Sequence, residues 1–181
     1  MAMTKLTDDG SESTEAHRQD AAQRDSARCL VFTVSDARTL ATDESGALME
    51  RLLTDAGHVV VARQLLTNDE APLRTALETA FARPDIDVVL CTGGTGLGSR
   101  DRTVQVMRPL LDRELPGFGE LFRSLSYLEQ IGAAAMLSRA LAGAACGKFV
   151  AVMPGSKAAV ELALTRLIIP ELKHALREIR R

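Results

Sequence analysis

Residues 88–101 read VVLCTGGTGLGSRD, and this stretch decides how the rest of the chain is interpreted. Residues 86–91 are apolar or β-branched except for Asp87, a pattern typical of a strand that is covered on both faces. Four glycines then fall within six positions, from 93 to 98. Glycine lets a backbone adopt positive φ and approach a ligand closely. Because such a loop frees N–H groups that can surround an anion, the stretch predicts a strand followed by a phosphate-binding loop.

The end of this loop carries a hydroxyl, a cation and a carboxylate, on Ser99, Arg100 and Asp101. A glycine-rich turn without a ligand is the alternative, although a plain turn needs only one or two glycines. Two better-known phosphate loops are excluded. A P-loop requires lysine where Ser99 stands, and a dinucleotide-binding fingerprint requires its third glycine at that same position.

The composition limits the classes of function. The chain has 181 residues, 46% of them hydrophobic and 25% charged, with a net charge of −2. This length suits one domain plus a tail. The charge balance argues against a nucleic-acid partner, whose phosphates require an excess of Lys and Arg. With 3% aromatic residues there is also no platform on which single strands could stack.

Signals for a membrane, for secretion and for a metal centre are weak. No stretch approaches ~20 uninterrupted apolar residues, and the N-terminus lacks the apolar core of a signal peptide, so we expect a cytoplasmic protein without a membrane partner. Cys29, Cys91 and Cys146 form no CxxC motif, and two of them lie in apolar runs, which predicts buried thiols in a reducing compartment. The three histidines are also scattered, so we expect no zinc site.

The chain divides into a tail and a domain. Residues 1–27 are polar and charged without periodicity, and such a segment cannot bury enough apolar area to offset its ordering entropy. We therefore predict a disordered tail, with a short helix docked on a partner subunit as the alternative. Residues 28–181 form the predicted α/β domain.

Polar residues follow the first predicted strand, residues 29–34. Ser35 and Asp36 stand directly after it, where they either initiate a turn or line a ligand crevice. Residues 46–56 have the apolar spacing of a helix.

A second strand is predicted over residues 58–66, followed by a helix with a regular apolar face. Pro72 fits only in the first turn of that helix, whose N–H groups have no intrahelical partner. The N-cap therefore falls near Asp69, which either caps the helix or directs its carboxylate into the crevice.

The remaining elements are mostly helical. A helix with a kink at Pro109 follows the glycine loop, and helical structure is predicted again over residues 133–142. A last strand over residues 149–153 ends in a loop of small residues, before a helix that restarts at Pro170. The order βαβαβ, several helices and βα predicts an α/β fold, a three-layer α/β/α arrangement with a mostly parallel central sheet. Since the carboxyl ends of parallel strands share one edge, the polar loops should meet there.

A phosphate-binding loop beside carboxylates and cations suits nucleotide chemistry with Mg²⁺. Magnesium is commonly held by one or two carboxylates together with substrate phosphates. Asp101 precedes a predicted helix, whose N-terminus favours the ionised, metal-binding carboxylate. The sequence therefore predicts phosphoryl or nucleotidyl transfer, in which positioning and charge stabilisation dominate.

Six short motifs in this order resemble a known family. They are TVSD at residues 33–36, DESG at 43–46, TGGTG at 92–96 with Arg100 and Asp101, RELPG at 113–117, LSR at 137–139 and PGS at 154–156. Together they resemble the MoaB/MogA family of molybdenum cofactor biosynthesis proteins, which includes a domain of gephyrin. The residues of the motifs resemble the MoaB branch more than the MogA branch. The resemblance covers about residues 29–181.

This resemblance implies a molybdopterin-binding, MogA-like fold and a homo-oligomer, either a trimer or a hexamer, with room for other cofactor-biosynthesis proteins as partners. It implies that Mg-ATP adenylylates molybdopterin: the terminal phosphate of the pterin attacks the α-phosphorus of ATP, and pyrophosphate leaves. Asp101 is implied to act in catalysis through Mg²⁺. The residues implied to bind or lie near the ligands are Ser35, Asp36, Gly93, Gly94, Thr95, Gly96, Ser99, Arg100, Pro154, Gly155 and Ser156.

The family's second site carboxylate opens the helix after the second strand. An ungapped alignment puts Asn68 there, whereas a shift of one residue puts Asp69 there, and both stay candidates for the catalytic role. As a carboxylate, Asp69 is also the candidate second metal ligand, since an amide coordinates Mg²⁺ only weakly.

Two other functions are open. One is a non-catalytic pterin-binding or assembly protein of the MoaB type. The weaker one is a pterin dehydratase, which normally needs clustered histidines for acid/base catalysis, and the histidines of this chain are dispersed.

Overall fold

The computed structural model describes residues 26–181, and its centre is a six-stranded sheet with the order β2-β1-β3-β6-β5-β4. The strands are β1 (Arg28–Val34), β2 (Val59–Leu66), β3 (Val88–Thr92), β4 (Arg113–Glu114), β5 (Leu141–Ala145) and β6 (Lys148–Met153). The pairings among β2, β1, β3 and β6 are parallel, whereas β5 is antiparallel to β6 and β4 is antiparallel to β5. The predicted α/β class is confirmed. The predicted tail, residues 1–27, lies outside the described residues except for its last two.

Helices cover both faces of the sheet. They are α1 (Glu44–Asp55), α2 (Glu70–Ala82), α3 (Thr103–Met107), α4 (Pro116–Ser126), α5 (Lys157–Leu162) and α6 (Ile169–Arg180). Short 3₁₀ turns occur at Arg108–Leu110 and Gly132–Leu137, and π-helical turns at Tyr127–Ile131 and Ala163–Ile168. None of the helices in residues 26–181 has both the length and the apolar character needed to cross a membrane.

Two apolar cores lie on opposite faces of the sheet. On one face Val31 and Leu90 pack among residues of α1, α4, α5 and α6. On the other face Leu30, Phe32 and Val89 pack with residues of α2 and α3. Successive side chains of a strand point to opposite faces, so consecutive apolar residues in β1 supply both cores. This arrangement is the predicted three-layer architecture.

The prediction of a helix over residues 133–142 is wrong. The 3₁₀ turn Gly132–Leu137 is followed by strand β5, and a tight turn at Cys146 and Gly147, both with positive φ, joins β5 to β6. Alanine has the highest intrinsic helix propensity, which is why this alanine-rich run suggests a helix. Pairing with β6 outweighs that propensity, and all five residues of β5 are buried.

Two prolines behave differently from prediction. Helix α3 ends at Met107, and Pro109 lies in the 3₁₀ turn that follows, so the helix ends there instead of kinking. Pro170 does not restart a helix, because residues 157–180 are helical throughout and the π-helical turn Ala163–Ile168 comes just before it. Because the turn before Pro170 is wider than an α-helical turn, the helix continues through proline despite its missing N–H.

Candidate functional site

The carboxyl ends of β1, β3 and β6 meet at the glycine loop. The N–H of Gly93 donates to the carbonyl of Met153 at 3.0 Å, and the Thr92 hydroxyl donates to the carbonyl of Pro154 at 2.9 Å. A Cβ on Gly93, whose φ is +100°, would lie 2.2 Å from the carbonyl oxygen of Val34. Only glycine fits this position, because a side chain would be both strained and in collision with β1.

Gly94 packs against two buried oxygen atoms, one on the buried Thr103 and one on the half-buried Asn68. A Cβ there would lie 2.1 Å from the Thr103 hydroxyl oxygen and 2.9 Å from Oδ1 of Asn68. Neither oxygen has a hydrogen-bond partner in the part of the chain that the structure describes. Buried polar atoms without partners are rare and mark places where a water or ligand group belongs. The side-chain oxygen of Asn68 therefore lies against the glycine loop.

The carboxylate of Asp101 is directed into the glycine loop. Its Oδ2 accepts a hydrogen bond from the N–H of Gly98 at 3.0 Å. A Cβ on Gly96 or on Gly98 would lie 2.7 or 2.8 Å from this same oxygen, so the two glycines make room for the carboxylate. One of the N–H groups expected to bind an anion is thus engaged by Asp101 itself.

Asp36 forms a cluster with Asn68 and Arg100. The backbone N–H of Asn68 donates to Oδ1 of Asp36 at 3.0 Å, its side-chain amide donates to Oδ2 at 3.1 Å, and Arg100 lies 2.8 Å from Oδ2. The backbone and side-chain hydrogen bonds from Asn68, with a smaller contribution from the Arg100 charge, lower the pKa of Asp36 below its usual value. Asp36 is therefore an ionised carboxylate at neutral pH.

A polar crevice of about 290 Å³ separates the start of α2 from the glycine loop. Its lining consists of Asn68, Asp69, Glu70, Ser99, Arg100 and Arg102. Asp69 occupies the N-cap position of α2, but its side chain makes no capping hydrogen bond and accepts instead from the Thr67 hydroxyl at 3.1 Å. Both candidates for the second site residue therefore face the same crevice.

The described carboxylates of this region do not form a complete metal site by themselves. Within residues 26–181 no group of three or more His, Cys, Asp or Glu side chains is placed to hold a metal ion. Magnesium accepts one or two carboxylates when phosphates and waters complete its shell. Asp69 lines the crevice, and Asp101 faces the glycine loop beside the crevice residues Arg100 and Arg102.

The remaining predicted binding residues also have local structural roles. The Ser35 hydroxyl accepts the N–H of Ala37 at 3.3 Å, which is turn chemistry. The Ser156 hydroxyl caps α5 by accepting the N–H of Ala159 at 3.2 Å. The carbonyl of Gly155 accepts from the Ser45 hydroxyl at 2.7 Å. Of these residues Gly155 borders the glycine loop at Gly93, and Pro154 borders it through the Thr92 hydroxyl.

The sequence profile of a family described as a probable molybdopterin binding domain matches residues 30–174. This chain belongs to the MoaB/MogA family. Molybdenum cofactor biosynthesis protein B of Halalkalibacterium halodurans is 50% identical over 167 residues, which are 92% of this chain and 97% of that protein. A crystal structure of a molybdenum cofactor biosynthesis protein B is similar with a TM-score of 0.83 at 47% identity, covering 86% of this chain and 97% of the other. The crystal structure of MoaB from Pyrococcus furiosus, a tungsten cofactor synthesizing protein, is similar to this chain with a TM-score of 0.77 at 35% identity. That match covers 87% of this chain and 99% of the other.

The predicted resemblance is confirmed, and the chain is a molybdenum cofactor biosynthesis protein of the MoaB type. In this family member, sequence reasoning missed two residues beside the loop. Thr103 was not among the predicted site residues, although its buried hydroxyl lies against Gly94. Arg139 belongs to the LSR motif but was not among the predicted site residues. It donates to the carbonyls of Thr95 and Asp101, which lie 44 and 38 residues away in the chain, so no local pattern could reveal its contacts.

Proposed function

We propose that this chain is a molybdopterin adenylyltransferase that uses Mg-ATP. The observation that carries the proposal is the Asp101 carboxylate inside the glycine loop, at the edge of the sheet where three strands end. In the reaction, an oxygen of the pterin's terminal phosphate forms a bond to the α-phosphorus of ATP, and the bond to the β-phosphate oxygen breaks. The products are adenylylated molybdopterin and pyrophosphate.

The carboxylates of Asp101 and Asp69 are the groups that we assign to the metal. When bound, Mg²⁺ supplies neutralisation of the charge on the reacting phosphates. The loop N–H groups that follow Gly93 would bind phosphate oxygens, because the Gly93 N–H is itself used by the carbonyl of Met153. The Asp101 carboxylate, which lies against the N–H of Gly98, would contribute to holding the metal. Positioning and charge neutralisation of this kind are the main contributions that a protein makes to such transfers.

Two arginines at the crevice, Arg100 and Arg102, would also neutralise phosphate charge. Arg100 has a side chain that is 74% exposed, so it can leave Asp36 and approach a triphosphate at small cost, because exposed ion pairs are weak. Arg102 is paired with Glu70 at 3.2 Å, also at the crevice. Asn68 is not assigned to the metal, because an uncharged amide oxygen coordinates Mg²⁺ only weakly in comparison with a carboxylate.

Incubation of the purified protein with molybdopterin and Mg-ATP tests the proposal directly. We expect stoichiometric release of pyrophosphate and an adenylylated pterin detectable by mass spectrometry. Tight pterin binding without either product would instead support the non-catalytic, MoaB-type alternative. That alternative is favoured by the alignment without a gap, which puts Asn68 instead of Asp69 at the position of the family's second carboxylate.

A homo-oligomer is part of the proposal. Large apolar side chains are exposed between residues 115 and 137: Leu115, Leu121, Tyr127, Leu128, Ile131, Met136 and Leu137, each between 49% and 76% accessible. Exposed apolar surface of this extent is typical of a surface that binds another protein. We expect copies of the chain to cover it in a trimer or hexamer, and light scattering measures the mass. A monomer would leave the surface to other cofactor-biosynthesis proteins. The reducing cytoplasm is the proposed compartment, since the three described cysteines are all free.

A further inference from the structure

Arg139 lies between the glycine loop and a separate cavity. It follows the 3₁₀ turn Gly132–Leu137 and precedes β5, and its side chain lines a cavity of about 680 Å³ between α3, α4 and β5. Two other arginines line the same cavity. Arg108 binds Glu114 through two hydrogen bonds of 3.0 Å, and Arg123 donates to the carbonyls of Ser138 and Ala140 at 3.4 Å.

The contacts of Arg139 bridge the two ends of the glycine loop. Its backbone N–H and its Nε both donate to the carbonyl of Thr95, at 3.3 and 3.2 Å. A terminal guanidinium nitrogen donates to the carbonyl of Asp101 at 2.8 Å. Thr95 is buried and residues 97–100 are exposed, so Arg139 binds the two residues between which the loop leaves the packed structure.

This bridge also constrains the Asp101 side chain. The carbonyl of Asp101 is held by Arg139, while its carboxylate accepts the N–H of Gly98 and its own N–H donates to the carbonyl of Gly98 at 3.0 Å. A shift of the Asp101 backbone would therefore move the carboxylate and break both bonds to Gly98. Hydrogen bonds from a charged donor are among the stronger ones in proteins, so the bridge should contribute substantially to this geometry.

An arginine is required for this bridge on geometric grounds. A guanidinium presents its donors in a rigid planar fork, so two of them can reach two separate carbonyls. A lysine ammonium is a single point on a flexible stem and cannot reproduce both directions. Arg123 is different in kind, because its two carbonyl partners flank Arg139 and belong to no residue of the glycine loop.

We propose that Arg139 is a positioning residue that keeps the glycine loop closed around the Asp101 carboxylate, so that the loop N–H groups and the carboxylate face a phosphorylated ligand together. This inference rests on the function proposed above for the loop. In this role Arg139 does not contact the substrate. Its effect is transmitted through the backbone of Thr95 and Asp101.

The first experiment measures amide hydrogen exchange by NMR in Arg139→Lys and Arg139→Gln. The amides of Gly98 and Asp101 should exchange about tenfold faster or more, as expected from the loss of a charged hydrogen bond. Amides of β1 and β6 should keep their wild-type rates. The matched control is Arg108→Lys, which alters an arginine of the same cavity whose guanidinium binds Glu114 and, within residues 26–181, no part of the glycine loop. It should leave the loop amides unchanged.

The second experiment measures turnover with molybdopterin and Mg-ATP. Arg139→Lys should lower kcat about tenfold with little change in KM for the pterin, and combining it with Asp101→Asn should add no further loss, because both changes act on one carboxylate. Unchanged exchange at Gly98 and Asp101, an equal increase throughout the sheet, or a wild-type kcat would overturn the role of Arg139. Absence of product from the wild-type protein would instead contradict the proposed function, and the exchange rates would still decide whether Arg139 holds the loop.

Discussion

Asn68 donates two hydrogen bonds to Asp36, one from its backbone N–H at 3.0 Å and one from its side-chain amide at 3.1 Å. The two polar atoms of the Asn68 amide have different neighbours. The nitrogen donates to the Asp36 carboxylate, and the oxygen lies near Gly94. A carboxylate at this position would place two negative charges side by side, so Asn68 is compatible with an ionised Asp36 in a way that aspartate is not.

Asn68→Asp should therefore lower the thermal unfolding midpoint in metal-free buffer at pH 7, because a donor is replaced by a like charge. Added Mg²⁺ should restore the midpoint more in the variant than in the wild type, since a cation relieves the repulsion between the two carboxylates. Differential scanning calorimetry with and without MgCl₂ measures both effects. Identical midpoints for the two proteins in metal-free buffer would contradict this interpretation of the pair.

Asp101→Asn should lower adenylylation about 10²-fold or more, because it removes the negative charge while retaining an oxygen that can accept the N–H of Gly98. The fold should persist, as circular dichroism would report. Asp112→Asn is the matched control, since Asp112 also accepts a backbone N–H, that of Cys146 at 2.7 Å, outside the crevice. Wild-type turnover in Asp101→Asn would remove the catalytic role from this residue.

Asp69→Ala and Asn68→Ala, compared side by side, distinguish the two candidates for the second site residue. We expect Asp69→Ala to raise the Mg²⁺ concentration needed for half-maximal turnover, because a metal ligand is lost. Asn68→Ala should mainly lower stability, because its hydrogen bond to Asp36 is lost. If neither variant changes turnover, the second-carboxylate hypothesis is wrong.

Gly93→Ala should destabilise the fold more than Gly57→Ala. Both glycines have positive φ, +100° and +83°, so both substitutions incur a backbone cost of about 1–2 kcal/mol. A methyl group at Gly57 would have no atom within 4 Å, whereas at Gly93 it would collide with the carbonyl of Val34. Overpacking of this kind costs a further ~1–3 kcal/mol. Urea denaturation of the two variants isolates the collision, and equal losses would show that the strand ends are looser than described.

His58 should make the fold sensitive to mild acid. Its buried ring accepts the N–H of Ala27 through Nδ1 at 3.2 Å, and burial, followed by the nearby charge of Lys173, lowers its pKa below the ordinary 6.5. Above pH 6.5 the ring is neutral in both the folded and unfolded chains, and its contribution to stability is fully present. As the pH falls below 6.5, the unfolded chain takes up a proton that the folded chain resists, so the free energy of unfolding decreases.

The measurement is the free energy of unfolding by urea at a series of pH values from 7.5 downwards. His58→Gln keeps an oxygen that can accept the N–H of Ala27 but cannot titrate, so its curve should be flatter just below pH 6.5. Parallel curves for the two proteins would contradict the assignment.

Alkylation should distinguish the cysteines. Cys29 and Cys91 are buried, as the sequence predicted, and Cys146 is exposed. Burial raises the pKa of both buried thiols to about 12, with a smaller contribution from Asp87 at Cys29. Since the thiolate is the nucleophile, iodoacetamide at pH 8 should modify Cys146 alone in the folded protein. Peptide mass spectrometry identifies the site, and rapid labelling of Cys91 would show that β3 opens readily.

Several features of the fold follow from local patterns. The apolar run before the glycine loop predicted a central strand, and every residue of β3 is buried. The regular apolar face after Pro72 predicted α2 because helical spacing places those residues on one side. Strand β5 was not predictable in this way, since its alanines favour a helix until β6 lies alongside.

The sequence by itself determined the layered fold, the glycine loop and the presence of Asp101 at its end, because strand and helix periodicity and glycine's backbone freedom act over a few neighbouring residues. Only the tertiary structure decided that Asp101 turns into the loop, that Asn68 binds Asp36 from 32 residues away, and that Arg139 joins Thr95 to Asp101. These contacts depend on which strand ends lie side by side in the sheet. That arrangement results from the packing of the whole domain and leaves no spacing in the sequence from which they could be predicted.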